Sequence, residues 1–273
     1  MLSSLLPRKA GRIFDVFLDK LKPFIRSMSY RGFDLYYSKD TSLITRIQGG
    51  AIYEPEVSRY IVNLLSHSRK PFFLDIGANI GLVALNVLAE IPEVIIHAFE
   101  PGPHQYNLFR KTIQANRLET RVILHNTALA SEAGTHDFAI HNSIHASGDG
   151  FEDTGRAGPA RFIRVRCETL DHWWVSNGRP SVTAVKIDTE GSEFLVLKGA
   201  LSLLRKCRPS ILMEIWPENI KVYPFDVKGV VAGLNQMSYQ LYTLSGDLVS
   251  TSNLNNYIGF QEFFVAHPVG EVG

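Results

Sequence analysis

The chain has 273 residues, 28 Lys and Arg against 27 Asp and Glu, 45% hydrophobic residues and 20% charged ones. This composition excludes a disordered, collagen-like or low-complexity chain, and the length allows a core that needs no metal or disulfide staple. A formal net charge of +1 argues against a dedicated nucleic-acid binder, which carries a strong basic excess.

The first residues are the exception to that balance. Arg8, Lys9, Arg12, Lys20, Lys22, Arg26 and Arg31 stand against Asp15 and Asp19 alone, so the remainder of the chain is net acidic. Pro7-Arg8-Lys9 interrupts the apolar start and no long apolar region follows, which is not the pattern of a signal peptide. No apolar run approaches the length of a membrane-spanning helix. Ile13, Phe17, Leu21, Phe24 and Met28 recur at helical spacing, which predicts a basic amphipathic helix in an N-terminal extension over residues 1–50. Such a stripe ordinarily packs on the main domain, and a basic one also suits peripheral contact with an anionic membrane. Cys167 and Cys207 form no C-x-x-C pair and no metal spacing, which predicts a reduced, cytoplasmic protein.

From Lys70 onward short apolar runs alternate with helical patterns. Strands are predicted at 72–76, 94–99, 121–125, 182–187 and 211–215, with later ones at 239–244 and 262–266. Helices are predicted at 80–90, 103–116, 192–205 and 227–237. This alternation predicts one domain over 51–273, an α/β fold with a doubly wound, mostly parallel sheet covered on both faces. An insertion breaks the pattern after the third strand. His136–Ile140 and Arg161–Cys167 read as an added β-hairpin, and the Gly-, Ser- and Asp-rich stretch from His141 to Ala160 reads as a long functional loop or a disordered insertion. In the second of these strands Arg164 and Arg166 share a face, which is either solvated or attractive to an anionic ligand.

Three segments carry chemistry. Asp75-Ile76-Gly77-Ala78-Asn79-Ile80-Gly81 follows a strand and opens a helix, so its glycines allow close backbone approach to a ligand. Asn79 stands where a dinucleotide fold has its middle glycine, which disfavours a pyrophosphate, and Asp75 is placed to bind a cationic group. Phe99-Glu100-Pro101 ends the second strand and puts an acid where ribose hydroxyls are bound in nucleoside-binding folds. Lys186-Ile187-Asp188-Thr189-Glu190-Gly191-Ser192-Glu193 ends the fourth strand and gathers acids at the same edge, although Glu190 and Glu193 also favour the start of the next helix electrostatically.

FLDIGANIG (Phe73–Gly81), AFEP (Ala98–Pro101), TLD (Thr169–Asp171), KIDTEGSE (Lys186–Glu193), LKGA (Leu197–Ala200) and MEI (Met213–Ile215) together resemble the class I S-adenosylmethionine-dependent methyltransferases, and among them the FkbM family. Tyr53-Glu54-Pro55-Glu56 resembles that family's entry segment. The resemblance implies a Rossmann-like sheet of seven strands, the last antiparallel, with S-adenosyl-L-methionine across the strand ends. It places Asp75 and Gly77 at the methionine half of the cofactor, Glu100 at the ribose, Asn126, Thr127 and Ala128 beside the adenine, and Asp188 near the methyl donor, with Asn79, Gly81 and Pro101 among the other cofactor-binding residues. Tyr53 and Glu54 would close the pocket. It implies methylation of a hydroxyl on a glycan or a small secondary metabolite, with Asp188, Glu190 or His145 as the proton acceptor, or a divalent metal on Asp188, Glu190 or Glu214 to acidify that hydroxyl. The absence of an Asn/Asp-Pro-Pro-Tyr run after the fourth strand, and of a cysteine near a strand end, points to oxygen as the acceptor atom. An NAD(P)-dependent reductase or epimerase on the same fold and a non-catalytic methyltransferase-like subunit are the alternatives. The sequence leaves the metal, the acceptor and the oligomeric state open.

Overall fold

The computed structural model describes residues 25–38, 43–141, 148–156 and 158–270. His145, Asn142, Ser143 and the basic stretch before Ile25 lie outside these residues.

The first elements are strands. β1 (Ile25–Tyr30) and β2 (Phe33–Ser38) pair antiparallel. Arg31 and Gly32 join them with φ of 53° and 87°, the left-handed pair that a tight two-residue hairpin turn requires. The helical stripe read from the sequence therefore does not extend through Ile25 and Met28. Tyr30 and Leu35 instead point into the core, and two hydrogen bonds of 2.9 Å tie Asp34 N and O to the side chain of Asn116. The hairpin, α1 (Leu43–Ile47) and α2 (Pro55–Ser66) pack in one apolar layer with α3 (Leu82–Glu90) and α4 (Pro103–Ala115).

The central sheet contains β3 (Phe72–Ile76), β4 (Ile95–Phe99), β5 (Val122–His125), β9 (Ala184–Ile187), β10 (Ser210–Glu214), β11 (Tyr239–Thr243), β12 (Leu248–Val249) and β13 (Phe263–Pro268). Their order is β12-β11-β13-β10-β9-β3-β4-β5. Strands β5, β4, β3, β9 and β10 are mutually parallel, and β13 runs antiparallel between β10 and β11. This is the expected α/β, doubly wound architecture of seven strands with one antiparallel. An eighth strand, β12, is added at the edge. It has two residues, too few to leave a periodic signal in sequence.

The second face is covered by α5 (Leu170–Ser176), α6 (Glu193–Lys198), α7 (Leu201–Cys207) and α9 (Val227–Gln236), with α8 (Pro217–Ile220) at the strand ends. The single helix predicted over 192–205 is two, α6 and α7. A Cβ on Gly199 would lie 2.1 Å from the carbonyl oxygen of Ala130, and Asp171 N donates to Gly199 O at 2.8 Å, so chain contacts break the helix at that residue. The insertion is the expected hairpin: β7 (Gly134–Ile140) pairs antiparallel with β8 (Arg161–Glu168), and β6 (Ala128–Leu129) completes a separate three-stranded sheet. On β8, Arg164 reaches Asp137 at 3.4 Å and Arg166 reaches Glu168 at 3.9 Å on an exposed face. No helix among the described residues is long and apolar enough to cross a membrane.

Strand order reverses between β3 and β9. Chain connections leave these two neighbours in opposite directions, so a crevice opens beyond their carboxyl ends. Asp75 is the last residue but one of β3, and Asp188 directly follows β9.

Candidate active site

The crevice is a cleft of about 350 Å³. Backbone packing makes its floor. A Cβ on Gly77, whose φ is 80°, would lie 1.8 Å from the carbonyl oxygen of Asp188, so only glycine lets the β3 and β9 turns meet. Gly77 and Ala78 both donate their N–H to Phe99 O, at 3.0 and 3.1 Å, which draws the end of β4 into the same floor.

One wall holds a charge cluster. Asp75 is fully buried, and neither of its carboxylate oxygens has a hydrogen-bond partner. Glu54 Oε2 is likewise buried and unpartnered. Between these acids stands Lys186, 2% exposed, whose Nζ lies 2.8 Å from Asp188 Oδ2. Burial raises Asp75 to about 6 and Glu54 to about 7, and Lys186 opposes both shifts. Burial pulls Lys186 down, but Asp188, Asp75 and Glu54 together more than reverse this and hold the ammonium charged. Three carboxylates around one ammonium leave a net negative wall. Bare buried carboxylate oxygens are costly unless a donor meets them, so this wall fits a cationic ligand group.

Glu100 makes the nucleoside end. Its Oε2 accepts from Asn79 N at 2.9 Å and its Oε1 from Gly102 N at 2.7 Å. Burial is the main reason its carboxyl rises to about 8. Asn79 adopts φ 51° and caps itself, its Oδ1 accepting from Ile80 N, so it closes the turn with backbone and side chain. Pro101, Thr127 and Ala128 line the cleft beside Glu100. Asn126 and Gly81 are not among the lining residues. Asn126 Nδ2 donates to Glu100 O at 2.9 Å and Pro101 O at 3.2 Å, which braces the loop from behind. A Cβ on Gly81 would lie 2.2 Å from the ring of Phe109, so this glycine serves the packing of α3 on α4.

Asp188, Glu190 and Glu214 bring carboxylate oxygens within 4.8 Å of one another. Each already has a protein donor. Asp188 takes Lys186, while the fully buried Asn219 donates its Nδ2 to Glu190 Oε2 at 2.8 Å and to Glu214 Oε2 at 3.0 Å. Arg156 donates to Asn219 Oδ1 at 2.5 Å and stands 3.5 Å from Glu190. Burial, then the neighbouring acid charge, pushes Glu190 and Glu214 well above the usual carboxylate range. These donors account for the convergence, which gives no independent support for a metal ion. Glu193 points into the turn, where it accepts from Thr189 N, Thr189 Oγ1 and Gly191 N, and so anchors the segment that presents Asp188 and Glu190.

The structure thus brings Tyr53, Glu54, Asp75, Gly77, Asn79, Glu100, Pro101, Ala128, Asp188 and Glu190 together around one cleft. Lys186, Arg156, Asn219 and Asp149 were missed in the sequence. Lys186 did carry a signal, as the one charge in the otherwise apolar run of β9. Asp149 comes from the insertion; His141 N and Gln105 Nε2 both donate to it, and it lines the cleft.

This fold and cleft are those of a methyltransferase enzyme, and the comparisons agree. The model of the methyltransferase FkbM domain matches residues 75–240, and the chain belongs to that family. It is 25% identical over 206 residues to methyltransferase sdnD of Sordaria araneosa, covering 65% of this chain and 79% of that protein. It is 28% identical over 165 residues to 2-O-methyltransferase NoeI of Sinorhizobium fredii, covering 56% and 66%. Among solved structures it is similar to methyltransferase FkbM from Methylobacillus flagellatus, at 14% identity and a TM-score of 0.49. That match covers 76% of this chain, which spans 47% of the other.

Proposed function

We propose that this methyltransferase uses S-adenosyl-L-methionine and transfers its methyl group to a hydroxyl of a glycan or small-molecule acceptor. The observation that carries the cofactor is Asp75, a fully buried carboxylate with both oxygens bare, in the same cleft as Glu100. Asp75 and Glu54 would hold the cofactor's ammonium, and Glu100 would accept from its ribose hydroxyls. When bound, the sulfonium supplies an already activated methyl group, so the protein's task is positioning and proton removal. The 2-O-methyltransferase relative supports a hydroxyl acceptor.

Proton removal falls to Glu190 rather than Asp188. Each has one oxygen already engaged, Asp188 Oδ2 by the Lys186 ammonium and Glu190 Oε2 by Asn219 and Arg156, and burial makes Glu190 a stronger base than an ordinary carboxylate. Asn219 and Arg156 orient Glu190. Phe138 and Phe151 line the same cleft and exclude water from the reacting hydroxyl.

Titration calorimetry with S-adenosylhomocysteine and with NADPH tests the cofactor, and a screen of glycan and small hydroxylated acceptors with labelled methyl donor tests the reaction. Binding of S-adenosylhomocysteine alone is expected. Binding of NADPH alone would replace this reading with a reductase.

A further inference from the structure

An amino-acid zwitterion presents a carboxylate one carbon away from its ammonium. A cleft that takes both ends must offer acids and a cation side by side. The acids are Glu54, Asp75 and Asp188. The cation cannot be Lys186, which is buried among those three acids and already paired with Asp188 at 2.8 Å. A ligand carboxylate driven there would meet the same negative field that suits the ammonium.

Arg156 also lines the cleft but is engaged by Glu190 and Asn219, which leaves Arg46, on α1, as the cation beside Tyr53 and Glu54. It lines the cleft with Tyr53 and Glu54, and its side chain is solvent-accessible. Its guanidinium lies over the Tyr53 ring at 5.6 Å, and Nη1 comes within 3.5 Å of Tyr53 Oη. Its field reaches Glu54, whose carboxyl it helps to keep ionised. Among the described residues it stands in no ion pair. Tyr53 thus holds the guanidinium beside the cleft through one long contact and its ring face, and no other side chain among the described residues takes its remaining N–H donors. A guanidinium offers a planar fork that matches a carboxylate in two parallel hydrogen bonds.

We infer that Arg46 binds the α-carboxylate of the cofactor's methionine moiety, next to the acid wall that takes the α-ammonium. The inference rests on the reading of the cleft as an S-adenosylmethionine site. It assigns a binding role to a residue outside the stretch that matches the family model, which begins at residue 75.

The test uses calorimetry on the full chain with S-adenosylmethionine, decarboxylated S-adenosylmethionine and 5′-methylthioadenosine. Arg46→Ala is expected to weaken S-adenosylmethionine about tenfold, as befits a charge-assisted pair. It should change decarboxylated S-adenosylmethionine and 5′-methylthioadenosine less than about twofold, since neither carries a carboxylate. Arg46→Lys should restore part of the loss. An equal loss for all three ligands, or unchanged S-adenosylmethionine binding, overturns the assignment. Thermal melting of Arg46→Ala separates a misfolded variant from a binding defect, because a misfolded one loses all three ligands together with its transition. Wild-type protein that binds none of the three adenosine ligands overturns the cofactor reading itself, and Arg46 with it.

Discussion

Lys186 and Asp188, two residues apart on and just beyond β9, meet at 2.8 Å through Nζ and Oδ2, with Lys186 2% exposed. The ammonium also faces Asp75 and Glu54, so one cation holds three acids, Asp75 of them fully buried, in a single arrangement. Removing one partner of such a cluster leaves uncompensated buried charge. Lys186→Met should therefore destabilise the protein by about 3–5 kcal/mol, read as a lower urea midpoint. Adding Asp188→Asn to it should cost less than the sum of the two single changes, because they share one interaction. Additive losses would show that the pair does not couple.

Glu100→Gln should weaken S-adenosylhomocysteine by about 10–100-fold, the scale of one charge-assisted hydrogen bond. The change keeps the shape and leaves one amide oxygen to accept from Asn79 N or Gly102 N. Calorimetry reads it directly. An unchanged dissociation constant would remove the ribose role from Glu100.

Glu190→Gln should lower turnover by about 10²–10⁴-fold with cofactor affinity within a few-fold of wild type. Asp188→Asn should lower turnover less through proton transfer, since Asp188 Oδ2 faces the Lys186 ammonium and its main task is to position that cation. Single-turnover rates with a true acceptor compare the two. A larger loss in Asp188→Asn would exchange their roles.

The acid wall makes cofactor binding depend on pH. Burial raises Asp75 to about 6, Glu54 to about 7 and Glu100 to about 8, so in the free protein these groups keep protons that a cationic or hydroxyl-donating ligand must displace. Affinity for S-adenosylhomocysteine should therefore rise between about pH 6 and 8 and level off above. Stability of the free protein has the opposite sign. A carboxyl whose folded value lies above its unfolded value favours folding at low pH, and that contribution is lost as pH rises to its folded value. Melting temperatures of free and ligand-bound protein should diverge across this window. Asp75→Asn should remove the lower part of the rise, and an affinity flat from pH 5.5 to 8.5 would contradict the charge cluster.

Gly77→Ala should lower stability by several kcal/mol or prevent folding, because the added carbon must displace the Asp188 carbonyl and adopt a left-handed backbone. Denaturant midpoints of Gly77→Ala and of Gly155→Ala, where a Cβ meets nothing within 4 Å, separate the clash from the backbone cost.

The doubly wound sheet and the acids at its carboxyl edge are legible in the local order of residues. Apolar runs such as Phe72-Phe73-Leu74 and Val94-Ile95-Ile96 declare buried strands, and Asp75, Glu100 and Asp188 stand at strand ends within a few residues of them, so both signals are local. What those acids do was not local. Lys186 looked like one residue of a motif until the packing of β3 against β9 placed it among Asp75, Glu54 and Asp188. Gly81 packs closely on Phe109, and Asn126 donates to the Glu100 and Pro101 carbonyls, contacts that no local pattern announces. The hairpin at 25–38 replaced the end of a helical stripe because Arg31-Gly32 supplies the turn and α4 supplies the partners. Asn219 and Arg156, 63 residues apart, took up Glu190 together. Periodicity records which face of an element is buried, but charge pairing, desolvation and close approach depend on groups that the chain delivers from far away, and only the tertiary structure brings those together.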